Sequence, residues 1–286
     1  MWEECQRDLC GEIKMNEIAT IVSVMGDDAY FKMASISLRS FLKNNVSADL
    51  FIFTDNFDRV DKLKNVSPGR VHIVDMPERF KRHKDVINDL IKRGTSEEDM
   101  KIHAEGFGYF HNHLFASSLV PIAEDYLKDR KYSHILKIDV DSYFAGGDMM
   151  VLVKEEIRSA PGFDLYLVAR QHDLMCPYGG GAPGTGFTLW RKGSNFAVRY
   201  LERFTGNFQN TILRMRGKGL LHIKILDRPG YHFVYPFKNA RETNREFTKE
   251  IASEFLPAYF HLSGRDALEN MKIMDKWFGD ESDETA

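Results

Sequence analysis

Ser133-His134-Ile135-Leu136-Lys137-Ile138-Asp139-Val140-Asp141-Ser142-Tyr143-Phe144 is the stretch on which the reading of this chain turns. Ile135, Leu136, Ile138 and Val140 form a short apolar run, the pattern of a strand covered on both faces. Such a strand ends in two carboxylates only where something needs them, because a charge withdrawn from water costs several kcal/mol unless it is paired or bound to metal. Asp139 and Asp141 share a face if the strand continues. Where the strand gives way to a loop, both can reach one divalent cation, and hard oxygen donors suit Mg2+ or Mn2+. The competing reading is a solvated pair at a strand end; Asp-x-Asp alone does not separate the two.

Upstream, Ile18 to Met25 is a strand that is apolar on both faces. It ends in the turn Gly26-Asp27-Asp28-Ala29-Tyr30. Phe31, Ala34, Leu38, Phe41 and Leu42 then recur at helical spacing, which predicts an amphipathic helix over residues 30–44 with Asp28 as its N-cap. Leu50 to Asp55 and Val71 to Asp75 read as further strands. Strands alternating with helices at this spacing predict a doubly wound α/β sheet with right-handed crossovers. Ligands of such sheets lie beyond the carboxyl ends of the strands, and Gly26 to Tyr30 is one such end. Residues 78–103 are charge-rich and read as a helical excursion with a solvated face. Residues 107–128 read as a helix with Phe115, Leu119, Ile122 and Tyr126 on one side. His111-Asn112-His113 has the letters of a nuclease signature without its supporting elements, so a pocket or helix-face role for His113 is preferred.

Downstream, Leu165 to Arg170 is a strand followed by a candidate active-site loop, Gln171-His172-Asp173. The glycine-rich run from Tyr178 to Gly186 leads into a strand, Phe187 to Trp190, and lacks the lysine of a phosphate-binding loop, which disfavours a kinase-type fold. The glycines either let backbone approach a bulky ligand or form a flexible loop. Phe196 to Phe204 reads as a helix, residues 214–219 are basic, Leu220 to Leu226 is apolar, and Phe233 to Phe237 is extended. The chain closes with Ala258-Tyr259-Phe260-His261-Leu262-Ser263-Gly264-Arg265 and an amphipathic segment carrying Met271, Met274 and Trp277.

Composition removes several classes. Hydrophobic residues make up 43% of the 286 positions and charged residues 28%, ordinary values for a globular protein with a sizeable core. A formal net charge of -3 offers no nucleic-acid or polybasic membrane surface. No stretch approaches the roughly 18–20 apolar residues of a membrane span. Residues 1–8 lack the basic and apolar regions of a signal peptide, and Cys5, Cys10 and Cys176 have neither disulfide-framework nor metal-ligand spacing, so the expectation is a cytoplasmic protein. The simplest organisation is an N-terminal arm over 1–16, one domain over 17–279 and an acidic tail over 280–286. Oligomeric state is left open.

Taken together, the parts resemble GT-A-fold glycosyltransferases, in particular the retaining enzymes built like glycogenin and the bacterial galactosyltransferases. Three pieces carry the resemblance: the first strand with Asp27-Asp28-Ala29-Tyr30, similar to an Asn-Asp-Ala-Tyr turn; Asp139-Val140-Asp141, similar to the Asp-x-Asp metal motif; and His261-Leu262-Ser263-Gly264, similar to a closing His-x-x-Gly motif. Their order and rough spacing agree over residues 17–265. The resemblance implies a single domain with a mostly parallel central sheet flanked by helices. It implies Mn2+ or Mg2+ on Asp139, Asp141 and His261, and a nucleoside held by Asp27, Asp28 and Tyr30, where base–aromatic stacking is worth roughly 1–3 kcal/mol. It also implies diphosphate contacts from Gly264 and Arg265, and sugars faced by Gln171, His172 and Asp173 together with Gly184 and Thr185. The donor would be a nucleotide-sugar, expected to be UDP-linked, and the acceptor a glycan or glycoconjugate, with retention of configuration.

Three departures stand out, one of them the lack of a clear Asp-Gln pair where the family often has one. The lysine that follows the family's closing motif is Ala267 here, which would pass phosphate contact to Arg265 or another base. The family's Asn-Ser-Gly strand start is Gly184-Thr185-Gly186. Two other readings remain at this point: a sugar nucleotidyltransferase, disfavoured by the acidic rather than basic Gly26-Asp27-Asp28 turn, and a non-catalytic nucleotide- or carbohydrate-binding module.

Overall fold

The computed structural model describes residues 17–79, 118–169, 183–203, 208–226, 248–254, 256, 258–262 and 267–279. Strand β1 (Ile18–Val24) is buried along nearly its whole length, as a run apolar on both faces requires once helices cover the sheet. The chain turns through Gly26, whose φ of 122° is open to glycine and strained for other residues, into α1 (Asp28–Asn44). Next come β2 (Asp49–Thr54), the short α2 (Phe57–Asp61) and β3 (Val71–Asp75). Helix α3 (residues 118–127) leads to β4 (His134–Ile138) and β5 (Ser142–Ala145). Then follow α4 (Met149–Ser159), β6 (Leu165–Ala169), β7 (Pro183–Arg191), α5 (Asn195–Tyr200) and α6 (Phe208–Gly217). β8 (Ile223–Leu226), α7 (Lys249–Ser253), β9 (Ala258–His261) and α8 (Ala267–Phe278) complete the described chain.

Seven strands form one sheet in the order β3-β2-β1-β4-β7-β6-β8. All run parallel except β7, which is antiparallel to both β4 and β6. This is the mostly parallel α/β sheet that the strand–helix alternation predicts. The strand order reverses beside β1, with β2 and β3 on one side and β4 on the other. The carboxyl ends of β1 and β4 therefore flank a switch point, the place where ligands of such sheets lodge. One face packs α1 and α4 onto Val22, Leu50 and Leu136 through Leu38, Phe41 and Val153. The other packs α3, α5 and α6 onto Ile21, Phe51 and Ile135 through Leu119, Phe196 and Ile212. A separate antiparallel pair, β5 with β9, sets Ser142 opposite His261 and is covered by α8 through Met271 and Met274.

Several local expectations shift. Asp27, not Asp28, caps α1: its carboxylate accepts a bond from the Tyr30 backbone N–H at 3.0 Å, and it is the last residue with extended dihedrals. Asp28 is already helical, so the helix starts before residue 30. Helix α4, capped by Asp148, had no counterpart in the sequence reading. Nor did α6, whose last turn carries Arg214 and Arg216, where basic residues complement the negative end of the helix dipole. The helix expected over 196–204 is α5 followed by a 3-10 turn, Leu201–Arg203. Of the helix expected over 107–128, residues 118–127 are described and helical, with Leu119 and Ile122 fully buried. His111-Asn112-His113, most of the 78–103 segment and Phe233 to Phe237 lie outside the described residues.

His134, the first residue of β4, yields a stability prediction. It is buried, its Nδ1 lies 2.9 Å from Ser133 Oγ, and its Nε2 is buried without a hydrogen-bond partner. Burial, reinforced by the Arg191 guanidinium, lowers its pKa from 6.5 to about 4. The unfolded chain therefore takes up a proton on this ring at a higher pH than the folded chain does. Stability from this group is fully present above pH 6.5 and is lost as the pH falls toward 4. The full shift corresponds to about 3 kcal/mol. Urea melts of wild type and His134→Gln at pH 7 and pH 4.5 check this: wild type should lose more stability on acidification than the variant does, and equal losses would contradict it.

Candidate active site

Three side chains converge at the switch point. β4 ends at Ile138, and the next residue, Asp139, donates its backbone N–H to Gly186 O on β7 at 2.9 Å. Two residues on, Asp141 O accepts from Leu262 N at 2.7 Å, beside the end of β9, and Ser142 opens β5 in register with His261. The strand therefore breaks between the two aspartates, and each half is clamped by a different partner. One ligand atom from each of Asp139, Asp141 and His261 lies within 4.8 Å of the others. His261 Nε2 is 2.9 Å from Asp141 Oδ1 and 3.8 Å from Asp139 Oδ2.

The electrostatics match a cation site. Burial alone would push the Asp141 carboxyl up, but the His261 charge and hydrogen bond, helped by Lys137, hold it below the usual carboxylate range. Burial likewise works against His261, yet Asp141 and then Asp139 raise its pKa above the ordinary histidine value. When protonated, the imidazole places positive charge beside the two carboxylates, and that proton must leave for a metal to bind. Two carboxylate oxygens and one imidazole nitrogen fit a divalent cation with coordination positions to spare.

Two tyrosines line this centre. The Tyr30 hydroxyl is raised well above its ordinary pKa by burial, then by the charges of Asp139 and Asp141. Tyr259 is raised by burial, then by Asp139. Its ring stacks parallel to His261, with centroids 6.4 Å apart and planes 9° apart, and its hydroxyl lies 3.2 Å from Ser142 Oγ. Both phenols therefore stay protonated at neutral pH.

Asp27 and Asp28, the acids expected beside a nucleoside, are already engaged. The Asp27 carboxylate is occupied by the helix cap. Asp28 pairs with Arg59 at 2.5 Å, and the Arg59 guanidinium lies 4.9 Å over the Phe31 ring. Such an exposed pair is worth at most about 1 kcal/mol, so a ligand can displace it. Gln171, His172, Asp173, Gly264 and Arg265 lie outside the described residues, as does the side chain of Thr185; Gly184 is described as β7 backbone. Ala267 opens α8 with only 4% exposure, so the position of the family's lysine faces the protein interior.

Sequence reasoning missed three contributors. Gly186 forms the floor: a Cβ there would come within 2.7 Å of Tyr259 Oη and 2.9 Å of His261 Nε2. Its signal was the last glycine of the run before Phe187. Tyr259 had none beyond lying two residues before His261. Lys137, buried with its Nζ on Asp139 Oδ1, was visible as a lysine inside an apolar run on the same strand face as Asp139.

The fold has clear relatives among solved structures. Mouse xyloside xylosyltransferase 1, in its apo form, superposes with a TM-score of 0.57 at 12% identity, covering 87% of this chain and 97% of that one. Galactosyltransferase LgtC, solved with donor and acceptor sugar analogues, gives 0.52 at 12% identity over 93% of this chain and 98% of that one. No family model matches the sequence, and no curated protein does. The chain has a GT-A-like glycosyltransferase fold, with an acid–acid–histidine cluster at its switch point.

Proposed function

We propose that the protein is a metal-dependent glycosyltransferase that moves a sugar from a UDP-linked donor to a hydroxyl of a glycan or glycoconjugate. The observation that carries this reading is the convergence of Asp139, Asp141 and His261 within 4.8 Å at the carboxyl end of β4. Bound there, Mn2+ or Mg2+ would neutralise the charge that grows on the departing diphosphate. The chain's own residues do the positioning. Asp27 fixes the turn after β1, Tyr30 offers an aromatic face to the base, and Asp28 exchanges Arg59 for the nucleoside. The interior setting of Ala267 favours Arg265, with Gly264, as the diphosphate contact. Gln171, His172 and Asp173, with Gly184 and Thr185, would face the sugars, Asp173 supplying the acidic group beside the reacting carbon, with retention of configuration. The few, unpatterned cysteines favour a reducing, cytoplasmic compartment. None of the described helices is long and apolar enough to cross a membrane.

A thermal-shift screen of nucleotide-sugars with and without Mn2+ tests the reading. A ligand at a hundred times its Kd stabilises the native state by about 2.7 kcal/mol, which raises the melting point by roughly 5–10 °C for a chain of this size. The expected result is a rise with UDP-sugar and Mn2+ together, accompanied by metal-dependent donor hydrolysis. Pyrophosphate release from a nucleoside triphosphate and a sugar phosphate would instead identify a nucleotidyltransferase. Tight UDP–Mn2+ binding with no turnover on any donor would identify a binding module.

A further inference from the structure

Lys137 is a buried cation that the transfer chemistry described above does not use. It is 4% exposed, pairs with Thr188 across the β4–β7 ladder, and shares its strand face with Ile135, which belongs to the apolar cluster beneath α3, α5 and α6. An ammonium withdrawn from water is costly, and as a purely structural device an apolar side chain of similar volume would serve as well or better. Its Nζ contacts Asp139 Oδ1 and lies 5.0 Å from the centroid of the Phe208 ring on α6. The contact leaves Oδ2 as the oxygen that faces His261, at 3.8 Å. Lys137 thus orients a ligand carboxylate, as hydrogen-bonded partners around metal sites do, while placing a fixed positive charge next to the site.

We propose that Lys137 is a positioning residue that serves as the internal counter-charge of the metal site, weakening it for the bare divalent cation and strengthening it for the anionic diphosphate. The inference rests on the metal-site reading above and deepens it. Asp139 and Asp141 contribute two negative charges, a metal-bound His261 contributes none, and Lys137 returns one. A divalent cation then leaves the centre one charge positive, to be met by diphosphate oxygens, so metal and nucleotide favour each other's binding. A unit charge about 5 Å from a divalent ion alters its affinity about tenfold even with water-like screening, and more at a lower effective dielectric.

The test is calorimetry on the full-length protein and two variants, with Mn2+ alone and, in the presence of EDTA, with UDP or inorganic pyrophosphate alone. Lys137→Gln removes the charge and keeps an N–H donor for Oδ1, while Lys137→Arg keeps the charge. Expected for Lys137→Gln are Mn2+ affinity raised about tenfold or more and diphosphate affinity lowered by a similar factor, with Lys137→Arg within about threefold of wild type. The opposed signs separate a charge role from a structural one, because a loosened site loses affinity for both ligands. A fall in both affinities, or no change in either, overturns the proposal. Wild-type protein that binds no Mn2+ at all overturns the metal-dependent transferase reading together with it.

Discussion

Asp141→Asn is expected to eliminate Mn2+-dependent stabilisation and to reduce donor hydrolysis about a thousandfold. Asp141 is the carboxylate nearest the histidine, 2.9 Å from His261 Nε2, and its backbone carbonyl is tied to Leu262, beside the end of β9. The amide keeps the shape and this backbone contact but removes the negative charge that raises the His261 pKa and would hold a cation. If metal stabilisation of the leaving diphosphate is worth roughly 4 kcal/mol, its loss is about three powers of ten in rate. Release of UDP from a panel of UDP-sugars, measured with Mn2+ and with EDTA, reads the effect. Turnover of the variant within tenfold of wild type, or wild-type turnover that survives EDTA, would remove Asp141 from the chemistry.

Gly186→Ala tests the floor of the same site by geometry rather than charge. A Cβ at 2.9 Å from His261 Nε2 and 2.7 Å from Tyr259 Oη is closer than packed atoms tolerate. Neither ring yields easily: Phe260 and Leu262, on either side of His261, are fully buried, and Phe144 and Phe187 pack against Tyr259. Overpacking of this kind costs typically 1–3 kcal/mol. The melting point should fall by roughly 2–10 °C, and Mn2+ binding, read by calorimetry, should disappear even at temperatures where the variant is fully folded. A variant that binds Mn2+ as wild type does would show that the imidazole is not held where the structure has it.

Much of this was legible in the residues. The run Ile135 to Asp141, with its two aspartates, reads as a strand breaking into a loop, and β4 ends at Ile138 with Asp139 and Asp141 on either side of the break. The register of α1 was less legible, because Asp27 and Asp28 are equally good caps as residue types. The choice fell to the backbone: the positive φ at Gly26 leaves Asp27 as the last extended residue. Helix α6 escaped notice because its sequence is polar and basic outside Phe208, Ile212, Leu213 and Met215, and its burial depends on β7 and the α5 region lying beneath it.

What the sequence determined by itself was the alternation of strands and helices, the site of the strand break, and the residue types that could hold a cation. Those depend on period, burial and local chemistry, all of which act over a few residues. Only the tertiary structure decided that His261 reaches Asp141 across more than a hundred intervening residues, because that meeting depends on the register of β5 with β9. It also decided that Gly186 must lack a side chain and that Lys137, drawn inside the protein between Asp139 and Phe208, shares the site's charge. Such facts arise from strands far apart in the chain being pressed to within hydrogen-bonding distance, which no local pattern encodes.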